Sequence, residues 1–172
     1  MRQRTKTPEE FCASDEQRGR RLDNDNRFVL VVDDDDEIRE LIAALLRSEG
    51  YDAVELADGL EALNYLAAAE VFGTDIRTPD LVVADILMPT FSGLDLLAGM
   101  RENELGPPVM LVTGVTDEDV RREARRLGAT RVVSKPFEVP MFLDAVDDSI
   151  GAPGVAAAVR AEWAAATAEL DA

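Results

Sequence analysis

At 172 residues, with a hydrophobic fraction of 47%, the chain has room for one packed domain with extensions. A formal charge of −17 argues against nucleic acid as a direct partner, which needs a basic surface. A single cysteine and the lack of any apolar run of about 18 residues exclude a disulfide framework and a transmembrane helix, so no membrane contact and a reducing cytoplasm are expected.

From the amino terminus, residues 1–26 are polar, charged and aperiodic, and read as a disordered arm. Met1 to Lys6 is basic but opens into no apolar segment, unlike a secretory signal. Strand and helix patterns then alternate through a domain expected over 27–150. The spacing predicts β1 at 28–32, α1 at 36–48, β2 at 52–56, α2 at 58–70 and β3 at 80–84, then α3 at 93–103, β4 at 109–113, α4 at 117–127, β5 at 131–134 and α5 at 138–149. In α1, Ile38, Leu41, Ile42, Leu45 and Leu46 form one apolar stripe. β3 and β4 are almost wholly apolar, as strands covered on both faces should be. Gly50, Gly128 and the Gly106-Pro107-Pro108 break follow helices as stop signals. Strict alternation predicts an α/β fold: a parallel sheet with right-handed crossovers and helices on both faces. Residues 151–172 read as a linker and an alanine-rich helix, with Val155, Val159, Trp163, Ala166 and Leu170 on one face. That face packs back on the domain, self-associates or docks a partner.

The chemistry lies at the strand ends. The β1 run stops at Asp33-Asp34, the β3 run at Asp85, the β4 run at Thr113 and the β5 run at Lys135-Pro136. In an open parallel sheet, ligands bind beyond the carboxyl ends of the strands. Three acids, one hydroxyl and one ammonium would therefore converge on one edge. That set suits a divalent cation beside a phosphoryl group, because carboxylates crowded together cannot all stay ionised without nearby positive charge. Of the 18 basic residues only Lys6 and Lys135 are lysines, and a compact ammonium acts on phosphate as a point charge that guanidinium does not reproduce. Asp35 and Asp36 read instead as N-terminal acids of α1.

These residues also match a known pattern. Val31-Val32-Asp33-Asp34-Asp35, with Arg39 behind it, resembles the first signature of the response-regulator receiver domains of two-component signalling. Asp85-Ile86-Leu87-Met88-Pro89 with Gly93 resembles their phosphoacceptor loop, and Thr113-Gly114 and Lys135-Pro136-Phe137 resemble the third and fourth signatures. The resemblance covers about residues 28–150. It implies a flavodoxin-like (βα)5 fold, a doubly wound five-stranded sheet of order 2-1-3-4-5, here followed by an extra C-terminal helix. It implies that Asp85 is a nucleophile that takes a phosphoryl group from a phosphohistidine and becomes an acyl phosphate. Asp34, Asp85 and the main-chain carbonyl of Leu87 would bind Mg²⁺, with Asp33 assisting through a water. Thr113 and Lys135 would contact the transferred phosphoryl oxygens, and Lys135-Pro136 would be cis. The implied partners are a histidine kinase or phosphotransfer protein, since the chain has no histidine, and a downstream protein.

Departures from the pattern matter too. Val132 stands where receivers often carry an aromatic that turns inward on activation, so output is expected through α4 or the C-terminal helix. Leu87 and Val115, which flank the attack site, are both apolar, and a long-lived phosphoryl group is expected. Gly93 is expected to permit a tight turn into α3 rather than touch ligand. Arg121, Arg122, Arg125 and Arg126, with Arg131 nearby, are either a solvated face paired with Asp117, Glu118, Asp119 and Glu123 or a docking and homodimer face. The expected function is a single-domain response regulator, a switch rather than a metabolic enzyme. One alternative is a phosphorylation-independent interaction module of the same fold. Another is a phosphatase of the haloacid-dehalogenase type, with Asp33 and Asp35 as its acidic pair, although Asp147-Asp148 then falls on a predicted helix.

Overall fold

The computed structural model describes residues 26–72, 76–152, 154–155 and 161–162. The elements run β1 Phe28–Val32, α1 Asp36–Ser48, β2 Asp52–Leu56, α2 Gly59–Val71, β3 Leu81–Asp85, α3 Gly93–Glu102, β4 Val109–Thr113, α4 Glu118–Leu127, β5 Arg131–Ser134 and α5 Val139–Ile150. All strand pairings are parallel and the sheet order is β2-β1-β3-β4-β5, the flavodoxin-like order implied by the resemblance.

Side chains alternate across the sheet and so build two cores. Val29 and Val31 turn toward α1 and α5, onto Ile42, Ala43, Leu46, Phe142 and Val146. Phe28, Leu30 and Val32 turn the other way, onto Ala62, Leu66, Leu97, Met100 and Leu127 of α2, α3 and α4. β1, β3 and β4 are buried along their whole length, while β2 and β5 form the more exposed edges. Each fully buried aliphatic side chain contributes roughly 1.5–3 kcal/mol, which makes the central strands a firm platform for whatever stands at their ends.

Predicted and observed boundaries differ by single residues, for local reasons. Asp58 and Asp117 stand just before α2 and α4 because their carboxylates accept backbone N–H groups of the first turn. β3 starts after Asp80, whose carboxylate accepts the Phe28 N–H at 2.6 Å, and extends through Asp85, which pairs with Val112. The apolar stripe of α1 needs one correction. Ile42, Ala43 and Leu46 are buried, but Leu41 is 61% exposed. Steps of 100° per residue carry Leu41 about 140° round the helix from Leu46, and the small Ala43 lies on the buried arc instead.

At the opposite edge of the sheet, the segment after α5 returns to the domain. Val155 is buried and donates its N–H to the Pro107 carbonyl at 3.5 Å. A Cβ on Gly154 would lie 1.7 Å from the Gly106 carbonyl oxygen, so only glycine fits this approach. Glu162 accepts from Arg101 of α3 at 2.6 Å. The remaining residues of the predicted apolar face, Val159, Trp163, Ala166 and Leu170, lie outside the described residues, as do 1–25 of the predicted arm. No helix among the described residues is long and apolar enough to cross a membrane.

Candidate functional site

The carboxyl ends of β1 and β3 bring Asp33, Asp34 and Asp85 together, with one oxygen from each within 4.8 Å of the others. Asp33 and Asp85 are buried and Asp34 is exposed, so the cluster opens to solvent on one side. Asp35 is not part of it. Its carboxylate turns back to accept the Glu37 and Ile38 N–H groups at 3.0 and 3.2 Å, as the N-cap of α1. Asp36 lies in the first turn of that helix and pairs with Arg39 at 2.5 Å.

Lys135 reaches the cluster from β5. Its ammonium lies 2.7 Å from Asp33 Oδ2 and 3.5 Å from Asp85 Oδ1. The Lys135-Pro136 peptide is cis, and the Lys135 N–H donates to the Thr113 carbonyl at 2.8 Å. Thr113 is fully buried at the end of β4, and its hydroxyl accepts the Val115 N–H at 3.0 Å. Asp33 is held from both sides. Its other carboxylate oxygen accepts the Asp35 N–H at 3.0 Å, and its carbonyl accepts from Arg39 Nη1 at 2.7 Å. The Arg39 clasp gives a role to a residue that the sequence marks only as part of a signature.

Asp85 is the unsatisfied member. Its Oδ1 is buried and has no hydrogen-bond partner. Burial pushes its carboxyl above the ordinary value of 3.8, the attraction of Lys135 and the Leu87 backbone pull it down, and the charge of Asp33 pushes it up. Three carboxylates against one ammonium leave a surplus of negative charge in a partly water-excluded place.

The loop after Asp85 is tightly built. Ile86 and Met88 turn inward while Leu87 is 62% exposed. Thr90 adopts a φ of 72°, a left-handed conformation that strains a β-branched residue. A Cβ on Gly93 would meet the Asp85 carbonyl oxygen at 2.3 Å. The expected turn-forming role of Gly93 is thus one of close backbone approach: the start of α3 rests directly on the main chain of Asp85.

On α4, the arginines are mostly matched by the same helix. Arg122 pairs with Asp119 at 2.8 Å, Arg125 with Glu118 at 3.0 Å and Arg126 with Glu123 at 2.7 Å. Arg131 pairs with Asp148 of α5 at 2.5 Å. The solvated-face reading describes these contacts. Arg121 departs from it and donates to the Ser134 hydroxyl of β5.

The sequence profile of the response regulator receiver domain matches residues 29–147. The chain belongs to that family. Receivers are the phosphoacceptor modules of two-component signalling, signalling proteins rather than enzymes. The chain is 33% identical to the chemotaxis protein CheY of Halobacterium salinarum over 124 residues, which cover 72% of this chain and 97% of that one. It is 36% identical to the probable transcriptional regulatory protein TcrX of Mycobacterium tuberculosis over 70% of its length, but spans only 48% of that relative. A solved structure of chemotaxis protein CheY4 of Vibrio cholerae aligns with a TM-score of 0.62 at 28% identity, over 72% of this receiver and 98% of that chain.

Proposed function

We propose that this receiver, over residues 27–150, takes a phosphoryl group from a histidine kinase or phosphotransfer protein onto Asp85 and signals by protein–protein interaction in the cytoplasm. One observation carries the reading. A buried carboxylate oxygen with no hydrogen-bond partner stands inside an acidic cluster beside a lysine. An Asp85 oxygen attacks phosphorus, the bond from phosphorus to the donor imidazole nitrogen breaks, and an acyl phosphate remains. Lys135 and Thr113 reach the same edge of the sheet and suit contacts to the transferred oxygens. Asp33 holds the Lys135 ammonium in place at 2.7 Å, and the closed turn at Val115 fixes the Thr113 hydroxyl.

The all-oxygen donor set and the surplus negative charge fit Mg²⁺. Asp34, Asp85 and the Leu87 carbonyl would hold it, with Asp33 acting through a water. When bound, it offsets the repulsion between an anionic nucleophile and an anionic donor.

The test is intact-protein mass after incubation with a small acyl phosphate, with Mg²⁺, with EDTA, and with Asp85→Asn. A gain of one phosphoryl group that needs both Mg²⁺ and Asp85 is expected. Wild type that never gains mass from this donor or from a phosphorylated kinase would overturn the reading and leave a phosphorylation-independent module. Lifetime is a separate expectation. Exposed Leu87 and half-buried Val115 offer no polar group to aim a water at phosphorus, so the phosphoryl group outlasts minutes. Decay within seconds at neutral pH in the purified protein would contradict this.

The phosphatase alternative loses its geometry, because Asp35 caps α1 while Asp147 and Asp148 are engaged by Tyr51 and Arg131. A homodimer through α4 would have to recruit arginines that already face acids of their own helix. In the C-terminal segment Val155 is buried and Glu162 is paired with Arg101, so these residues are engaged by their own domain as well.

A further inference from the structure

Four arginines lie on α4, and three of them are neutralised by acids of that helix at 2.7–3.0 Å. Arg121 has no carboxylate in ion-pair contact among the described residues. Its guanidinium donates to the Ser134 hydroxyl instead. A hydroxyl accepts a hydrogen bond but cancels no charge, and a guanidinium carries further donors in a planar fork. Arg121 is therefore an uncommitted cation held by a weak neutral partner.

Its location gives that charge a use. Ser134 is the register partner of Thr113 on the adjacent strand, and the next residue is Lys135. Register partners direct their side chains to the same face of a parallel sheet, one strand spacing of about 4.8 Å apart. The Arg121 guanidinium is thus held beside the β5 neighbour of Thr113, two strand spacings, about 10 Å, from the β3 end that carries Asp85. The cluster already has too little positive charge, and Lys135 is engaged by Asp33 at 2.7 Å. A phosphoryl group on Asp85 adds roughly −1.5 to −2 of charge and strong acceptor oxygens.

We propose that Arg121 is a second cationic ligand for the phosphoryl group, parked on Ser134 until that group arrives. The proposal rests on Asp85 being the acceptor. Moving to the phosphoryl oxygens exchanges a neutral acceptor for a charged one, the exchange that favours a guanidinium most. It also breaks the Arg121–Ser134 tie between α4 and β5, so the same side chain reports the phosphoryl group to the α4 surface.

The probe is beryllofluoride, a tetrahedral stand-in for the aspartyl phosphoryl group, titrated with Mg²⁺ into the full chain by calorimetry. Wild type, Arg121→Gln, Arg121→Lys, Ser134→Ala and Asp85→Asn are compared. Arg121→Gln is expected to weaken binding about tenfold, and added salt should narrow its gap from wild type. Arg121→Lys should recover most of the loss. Ser134→Ala, which frees the guanidinium, should bind as tightly as wild type or tighter. Unchanged affinity in Arg121→Gln overturns the proposal. So does equal weakening in Arg121→Gln and Ser134→Ala, since the cross-link alone would then account for the loss. Wild type that neither binds this probe nor gains mass from an acyl phosphate would remove the acceptor reading itself. A normal wild type with an indifferent Arg121→Gln removes only the role of Arg121.

Discussion

The two edges of the sheet handle charged groups in opposite ways. At the amino-terminal edge, Arg77 pairs with Asp52 at 2.6 Å, donates to the Asn26 carbonyl and lies 5.1 Å from the centre of the Phe28 ring. Asp80 takes the Phe28 N–H at 2.6 Å, Tyr51 donates to Asp147, and Gly154 closes against Gly106. Charges there meet opposite charges or hydrogen-bond partners. At the carboxyl-terminal edge, three carboxylates share one ammonium, Asp85 keeps a buried oxygen with no hydrogen bond, and Thr90 is strained. The same strands serve both edges. The difference shows that the fold is stabilised at one end and keeps a surplus of negative charge at the other, which added positive charge would relieve.

Perturbing each edge sharpens the contrast. The largest effect is expected from Gly93→Ala, which drives a methyl group into the Asp85 carbonyl. A loss of about 3 kcal/mol in denaturant unfolding is expected, together with slowed phosphoryl acceptance. A stable Gly93→Ala protein with normal phosphorylation would show that the acceptor loop is not braced by α3. Arg77→Ala should destabilise by about 2 kcal/mol, because it leaves Asp52 and a backbone carbonyl without their donor. Its phosphorylation rate should match wild type, and a changed rate would break the separation of the edges.

Asp85→Asn works in the opposite direction. Because burial raises the Asp85 carboxyl, its neutral form contributes stability that is present below the ordinary value of 3.8 and lost as pH rises through the folded value. At neutral pH the charged group is a cost, so Asp85→Asn should unfold about 1 kcal/mol later than wild type without divalent cation. That gain should vanish in acid and shrink in saturating Mg²⁺. The smallest effect belongs to Tyr51. Burial and its bond to Asp147 push its hydroxyl from 10.0 up to about 12. Stability should therefore decline between these pH values, and Tyr51→Phe should remove that decline, as read by chemical denaturation across alkaline pH.

Much of the fold was legible because its signals are local. Apolar runs, helix-starting acids and Gly stops each act within a few residues, and the element boundaries agree to a single residue. Leu41 was misjudged because a helical stripe counts apolar residues without knowing where the sheet stands, and the sheet admitted Ala43 instead. The short motifs ending the strands identified Asp33, Asp34, Asp85, Thr113 and Lys135, because a parallel sheet must align the carboxyl ends of its strands. Other features were not visible in the chain. The Arg39 clasp on the Asp33 carbonyl and the contact of Gly93 with the Asp85 backbone join main-chain groups that no side-chain pattern encodes, and packing of Val155 against the domain was only one of three readings of its face.

The sequence by itself determined the alternation of elements and the kinds of group at each strand end, since both follow from periodicity and residue chemistry. Only the tertiary structure decided which of those groups share charge, which oxygen of Asp85 is left without a hydrogen bond, and which arginine side chain of α4 has no acid of its own helix. Those outcomes depend on distances between strands and helices, and distances are set by packing rather than by composition.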